Sequence, residues 1–110
     1  MHPECFQICR EDNVATLLRD AAAMTDVRVI GEAERNTVRC IEPIRTGHKV
    51  ALRPIGAGEA IVKYGFPVGE AIRQIAEGEW VHLHNCRSGS DALSSELDLR
   101  TGVRGETRYA

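Results

Sequence analysis

The stretch Ile44-Arg45-Thr46-Gly47-His48-Lys49-Val50 decides the fold, because two later stretches repeat its pattern: Ile55-Gly56-Ala57-Gly58-Glu59-Ala60-Ile61 and Ile75-Ala76-Glu77-Gly78-Glu79-Trp80-Val81. Each copy has an isoleucine, two residues compatible with a turn, a glycine, a polar residue and the beginning of an extended run. Turns that recur this closely leave room only for strands between them. The repeat therefore predicts a mainly β fold with three structurally equivalent turns, at Thr46-Gly47, Ala57-Gly58 and Glu77-Gly78.

Runs of β-branched and apolar residues predict the strands around these turns. The predicted strands cover residues 27–30, 37–41, 49–52, 60–64, 69–74 and 80–85. Residues 31–36 suit a hairpin loop longer than two residues. Residues 70–77 also have helical spacing, but they lie within the repeat, and we interpret them as strand and turn.

The segment after Asp12 is compatible with two structures. A helix over residues 14–24, capped by Asp12 or Asn13, is favoured by its leucines and alanines. A strand over residues 13–18 followed by a loop is the alternative. Local propensity alone favours the helix.

Length and charge restrict the function classes. A chain of 110 residues forms one small domain, which rarely encloses a whole active site for a polar metabolite, so we expect a large partner or a homo-oligomer. A net charge of -2, from 14 basic and 16 acidic residues, argues against nucleic acid. No apolar run approaches the roughly 20 residues that cross a bilayer, and the N-terminus lacks the apolar core of a signal peptide. We therefore expect a cytoplasmic protein with reduced cysteines and no membrane contact.

Composition divides the chain into three parts. Residues 1–11 are polar and mixed, which predicts a flexible tail. Residues 12–86 form the predicted domain, and residues 87–110, rich in Ser, Gly, Asp and Arg, predict a polar tail or a truncated linker. Cys5 and Cys9 lack the CxxC spacing typical of zinc and redox sites, and we interpret them as incidental thiols.

Three histidines lie beside the repeated turns, His48 at the start of one predicted strand and His82 and His84 on another. Side chains two residues apart on a strand share a face, so His82 and His84 can reach one site. Imidazole exchanges protons near neutral pH and binds borderline metals such as zinc or ferrous iron. Cys86 continues the alternation, but three consecutive ligands on a strand span about 14 Å, too far to share one ion comfortably. The alternative interpretation is surface histidines that only form hydrogen bonds.

Three segments in a fixed order carry a resemblance to a known family: GHKVALRPI at residues 47–55, KYG at 63–65 and GEWVHLHN at 78–85. They resemble the SAF-type β-clip domain that begins the altronate and galactarate dehydratases. In some organisms this domain is a separate small subunit, including that of sulfolactate sulfo-lyase. The resemblance covers residues 12–86 and favours the strand at residues 13–18. It implies a compact β-clip, SAF-like fold of short strands and tight turns with little helix.

The same resemblance implies a hydro-lyase component, either a small subunit or an N-terminal domain. It would contribute to removing water from a polyhydroxy acid to give a 2-keto-3-deoxy acid, and it would be inactive without a dehydratase large subunit or C-terminal catalytic domain. Two alternatives remain open: a small subunit of sulfolactate sulfo-lyase, and a non-catalytic module that binds carbohydrate or protein.

The family reaction takes a proton from the carbon beside the carboxylate while a neighbouring hydroxide leaves. It requires a base, positive charge, and an acid or a metal ion. The resemblance implies catalytic roles for His48 and His84 and a divalent metal such as iron or manganese in the assembled enzyme, with His82 and His84 as candidate ligands from their shared strand face. Lys49 and Lys63 lie in motif segments and suit a substrate carboxylate, or they are solvated lysines at a strand edge. Tyr64 and Asn85 can donate to sugar hydroxyls, although Tyr64 is equally compatible with a core position. Trp80 is expected in the core or at a subunit interface.

Overall fold

A computed structural model describes residues 2–32 and 36–88, and every regular element within them is a strand. The strands are β1 (Glu4–Gln7), β2 (Val14–Leu17), β3 (Thr25–Gly31), β4 (Thr37–Cys40), β5 (Lys49–Ala51), β6 (Ala60–Lys63), β7 (Phe66–Ala71), β8 (Trp80–Val81) and β9 (Cys86–Ser88). The prediction of a mainly β fold of short strands and tight turns is confirmed. Arg87 and Ser88, the first two residues of the predicted C-terminal tail, belong to β9, and the rest of that tail lies outside the described residues. In the described part of the chain, no helix has the length and apolar character to cross a membrane.

The strands form two sheets around two apolar cores. The larger sheet has the order β4-β3-β1-β2-β5-β8, and the smaller has the order β6-β7-β9. Neighbouring strands are antiparallel except β1 and β3, which run parallel. Ala15 and Val50 pack into one core, whereas their neighbours Val14 and Ala51 pack into the other. Because side chains alternate along a strand, β2 and β5 separate the two cores.

The three repeated turns have the same geometry. Gly47, Gly58 and Gly78 have φ angles of 87°, 86° and 87°. In each turn the residue after the glycine donates its backbone N–H to the carbonyl three residues earlier, at 3.0, 2.9 and 3.1 Å. This arrangement is typical of a type II turn, which requires a positive φ at its third position. The leading isoleucines anchor the turns in the protein interior: Ile44, Ile55 and Ile75.

The predicted flexible tail over residues 1–11 is wrong, because Glu4–Gln7 form β1 in the middle of the larger sheet. The side chains of Cys5 and Gln7 point inward and are 0% and 5% exposed. This strand has only one large apolar residue, Phe6, so its local sequence pattern is weak. Pairing with β2 on one side and with the more distant β3 on the other creates it.

Residues after Asp12 form a strand rather than a helix. β2 pairs with β1 on one side and β5 on the other, so tertiary pairing overrides the helix propensity of its leucine and alanine. The buried Asn13 then connects β2 to the smaller sheet. Its Nδ2 donates to the Ala60 carbonyl at 2.9 Å, and its Oδ1 accepts from the Val62 N–H at 2.8 Å.

Gly78 supports a direct test of the turn geometry. A Cβ atom at Gly78 would overlap the Arg39 carbonyl oxygen, whereas a Cβ at Gly58 would meet nothing within 4 Å. Both positions have a positive φ, which costs an alanine about 1–2 kcal/mol. We expect Gly78→Ala to lower the free energy of unfolding by about 1–3 kcal/mol more than Gly58→Ala, the matched control, because of the overlap. Equal losses in urea unfolding would contradict the close approach.

Acid should weaken two of the turns. Asp20 accepts from the Thr46 N–H at 2.8 Å, and Glu59 accepts from the Gly56 N–H at 2.8 Å. These backbone bonds lower the pKa of each carboxyl below its ordinary value of 3.8 or 4.5. Folding then favours the ionised form, so the stabilisation is complete above the unfolded pKa and is lost as the pH falls through the folded pKa.

We therefore expect the urea midpoint to fall as the pH drops below 4.5, the ordinary pKa of Glu59. Glu59→Gln keeps an acceptor for Gly56 but cannot ionise, so this variant should show a shallower fall. Identical pH profiles for the two proteins would show that the Glu59 carboxylate does not contribute.

Candidate functional site

His48, which precedes β5, and Trp80, the first residue of β8, are diagonal neighbours across this strand pair. The register places Lys49 opposite Val81 and Val50 opposite Trp80, so His48 lies beside the residue that follows β8. The indole Nε1–H of Trp80 donates to Nδ1 of His48 at 3.2 Å, and the two rings meet edge to face at 5.5 Å. The hydrogen bond to Nδ1 thus holds the imidazole of His48 beside the edge strand β8.

The predicted strand over residues 80–85 is wrong beyond Val81, because the chain turns at His82. The backbone N–H groups of Asn85 and Cys86 both donate to the His82 carbonyl, at 3.1 and 3.0 Å. The Asn85 side chain closes the loop, since its Oδ1 accepts from the His82 N–H at 3.0 Å and its Nδ2 donates to the Trp80 carbonyl at 2.8 Å. His82 and His84 therefore do not share a strand face.

The loop nevertheless brings both histidines onto the Trp80 indole. His82 stacks on it at 5.1 Å with an interplanar angle of 10°, and His84 lies at 4.8 Å with an angle of 40°. His48 and His82 are 5.2 Å apart. We call His48, Trp80, His82 and His84 the imidazole cluster. The structure gathers all three histidines of the resemblance around one indole.

The environment of His82 favours its neutral form. Burial lowers its pKa below 6.5, and the nearby basic side chains of His48, Lys49 and His84 lower it further. A neutral imidazole has a lone pair for a proton or a metal ion. His82 is half-buried and His84 is exposed, so the cluster opens to solvent on the side of His84.

Two glutamates adjoin His84, and the sequence interpretation missed both of them. Among the described residues, Glu42, Glu79 and His84 form a group whose potential metal-binding atoms lie within 4.8 Å of one another. Glu42 accepts from the Trp80 backbone N–H at 2.9 Å, and Glu79 accepts from Asn85 Nδ2 at 3.3 Å. Two carboxylates and one imidazole suit manganese or ferrous iron. His82 is outside this group, and the metal pair His82 and His84 stays a prediction.

Lys49 lies on the opposite face of β5 from the imidazole cluster. It is paired with Thr16 and Val81, and Val81 belongs to the same core as Cys86. Lys49 is 8% exposed. Burial lowers the pKa of its ammonium, and the charge of Lys63 lowers it further, while Cys86 opposes the shift. Two of the predicted carboxylate-binding groups, Lys49 and Lys63, are therefore neighbours.

Tyr64 and Gly65 form the tight turn between β6 and β7, with φ angles of 62° and 74°. Asp12 holds this turn by accepting from both backbone N–H groups, at 3.1 and 2.8 Å. The ammonium of Lys63 lies 4.8 Å from the centre of the Tyr64 ring. The ring is exposed, so its hydroxyl is accessible from solvent.

Asn85 and Cys86 do not face solvent. Asn85 is 0% exposed, and both ends of its amide are used within the protein, so its role is to shape the loop rather than to bind sugar hydroxyls. Burial raises the pKa of the Cys86 thiol, which packs in an apolar core. These two residues therefore support the loop of His82 and His84 from the protein interior.

Comparison with known proteins connects this site to a family. The family model described as "Altronate/galactarate dehydratase SAF domain" matches residues 3–89 of this chain. Altronate dehydratase of Escherichia coli (strain K12) is 43% identical over 82 residues, which is 74% of this chain and 16% of that protein. Altronate dehydratase of Bacillus subtilis (strain 168) is 37% identical over 83 residues, 76% of this chain and 16% of that protein.

A smaller relative is also similar. The (2R)-sulfolactate sulfo-lyase subunit alpha of Paracoccus pantotrophus is 39% identical over 54 residues, which is 49% of this chain and 78% of that subunit. The chain thus spans about a sixth of the two altronate dehydratases but most of a lyase subunit. With its family match over residues 3–89, this chain belongs to the altronate/galactarate dehydratase SAF domain family.

Proposed function

We propose that this chain is a cytoplasmic hydro-lyase component that contributes part of the active site for removing water from a polyhydroxy acid. The product would be a 2-keto-3-deoxy acid. The observation that carries the proposal is the imidazole cluster beside Glu42 and Glu79, which places several proton-exchanging and metal-binding groups at one open edge of a family domain.

His48 and His84 are the catalytic groups in this proposal. One exchanges a proton with the substrate, and the other supports the departing hydroxide. The rigid indole of Trp80 holds both rings, so little reorganisation is needed when substrate binds. The lowered pKa of His82 favours its neutral form, which limits the positive charge within the cluster.

The group formed by Glu42, Glu79 and His84 would hold a divalent cation such as manganese or ferrous iron. The cation would supply Lewis acidity for the departing hydroxide. Glu79 also accepts from the Ala76 N–H at 2.8 Å, which fixes its carboxylate before any ligand arrives.

Lys49 and Lys63 would hold the substrate carboxylate, with Tyr64 at the rim. Burial and the nearby charge of Lys63 disfavour the ammonium form of Lys49 in the free protein, so an anion beside Lys49 would favour that charge. Lys49 and the imidazole cluster lie on opposite faces of β5. The substrate would therefore have to pass around the edge of the larger sheet at β8, near His82, whose pKa is lowered by Lys49.

The missing wall of the site would come from a large subunit or catalytic domain. His84 is exposed, and the chain spans only 16% of the altronate dehydratases that it matches. An open site cannot exclude water from the reacting atoms, so we expect little turnover from the isolated chain.

Reconstitution tests this function. The purified 110-residue chain would be assayed with altronate and galactarate, alone and with a dehydratase large subunit from the same organism. We expect the 2-keto-3-deoxy product only from the mixture. Robust turnover by the chain alone would overturn the need for a partner, and a stable complex without turnover of any tested acid would favour a non-catalytic binding module.

Sulfolactate is the second candidate substrate, because the chain matches 78% of a sulfo-lyase alpha subunit. The same residues would then support a departing sulfite instead of a hydroxide. Release of sulfite from sulfolactate, without product from altronate or galactarate, would select this alternative.

A further inference from the structure

The three repeated turns differ in the side chains that stabilise them, and the turn that differs lies beside the imidazole cluster. In residues 53–59, Arg53 Nη1 donates to Glu59 at 3.1 Å, and the same glutamate accepts from the Gly56 N–H at 2.8 Å. Residues 73–79 repeat this brace, because Arg73 Nη2 donates to Glu79 at 3.4 Å. An arginine and a glutamate six positions apart thus stabilise two of the three turns.

Residues 42–48 have lost both members of the brace. Glu42 stands where the other copies have arginine, and His48 stands where they have glutamate. Asp20, from outside the repeat, supports this turn instead by accepting from the Thr46 N–H at 2.8 Å. The side chains of Glu42 and His48 are therefore available for another partner.

Both released side chains bind the same residue. Glu42 Oε2 accepts from the Trp80 backbone N–H at 2.9 Å, and His48 Nδ1 accepts from the Trp80 indole N–H at 3.2 Å. Trp80 is held at both of its N–H groups by the two positions that depart from the repeat. Its indole then carries His82 and His84.

The bond to the indole fixes the chemistry of His48. The indole nitrogen can only donate, so Nδ1 of His48 must be the acceptor, and the proton of the neutral ring lies on Nε2. We propose that Trp80 is a positioning residue that holds His48 in this tautomer, so that Nε2–H donates a hydrogen bond to the substrate. Where the proposed dehydration holds, His48 is then the proton donor of the pair, and its Nε2–H stabilises the enediolate oxygen as negative charge develops there.

Nitrogen-15 NMR of the 110-residue chain tests the tautomer without any assay of activity. At about pH 8, above the ordinary pKa of histidine, we expect a protonated Nε2 and an unprotonated Nδ1 for His48. We also expect a scalar coupling through the hydrogen bond between Trp80 Nε1 and His48 Nδ1. Trp80→Phe keeps a stacking ring but removes the donor, so the coupling should vanish and the Nδ1 resonance should shift. His82→Phe, the matched control, should retain the coupling.

A protonated Nδ1 on His48 in the unmodified chain, or no coupling to Trp80, would overturn the proposal even if Trp80→Phe failed to fold.

In the complex with a large subunit, Trp80→Phe should lower kcat by about 10- to 100-fold with little change in KM, since the substrate is still bound but the donor is misplaced. An unchanged kcat would overturn the positioning role. If the coupling were present but the unmodified complex dehydrated no acid, the tautomer would stand and the proposed function would fall.

Discussion

His48→Ala and His84→Ala should each lower turnover of the assembled dehydratase by about 10²- to 10⁴-fold, the usual contribution of a group that acts on protons in the transition state. Both rings are held against Trp80, and neither belongs to the apolar cores. Removing either ring should therefore leave the fold and the complex intact. The measurement is kcat and KM of the reconstituted enzyme, with circular dichroism and size-exclusion chromatography of each variant.

The chain offers a matched control in His2, the remaining histidine, which is exposed and precedes β1. His2→Ala should retain the activity of the unmodified complex. Near-normal activity in both His48→Ala and His84→Ala would instead mean that the imidazole cluster only forms hydrogen bonds within a binding module, with the catalytic groups on the partner.

Local sequence was sufficient to predict the turns but not every strand. The glycines at 47, 58 and 78 encode a positive φ, which few other residues tolerate, so the repeat predicts its own geometry. β1 has no such signal, because its place between β2 and β3 depends on partners distant in the sequence. The end of β8 was missed for a different reason, because the local hydrogen bonds of the buried Asn85 amide bend the chain after Val81.

The same limit applies to the candidate site. Family motifs identified His48, His82 and His84, and the structure places them around Trp80. Alternation along a strand gave the wrong reason for the proximity of His82 and His84, because a loop brings them together. Glu42 could have been noticed from the sequence, since it replaces the arginine found at the same position of the other two copies.

The candidate cation group makes a second prediction with a large effect. Glu79→Gln should weaken binding of Mn²⁺ to the chain by at least about tenfold, because even partners that only orient a ligand typically contribute 10- to 100-fold. Glutamine keeps an acceptor for the Ala76 N–H, so the turn should survive while the negative charge is lost. Titration followed by electron paramagnetic resonance of free Mn²⁺ measures the affinity directly.

Glu59→Gln is the matched control, because Glu59 occupies the equivalent position of another copy and forms the same bonds to a backbone N–H and an arginine. It is outside the group that contains Glu42 and His84. If Mn²⁺ binds the described carboxylates specifically, only Glu79→Gln should lose affinity. Equal affinities of the two variants would show that the ion interacts with general negative charge rather than with the candidate cation group.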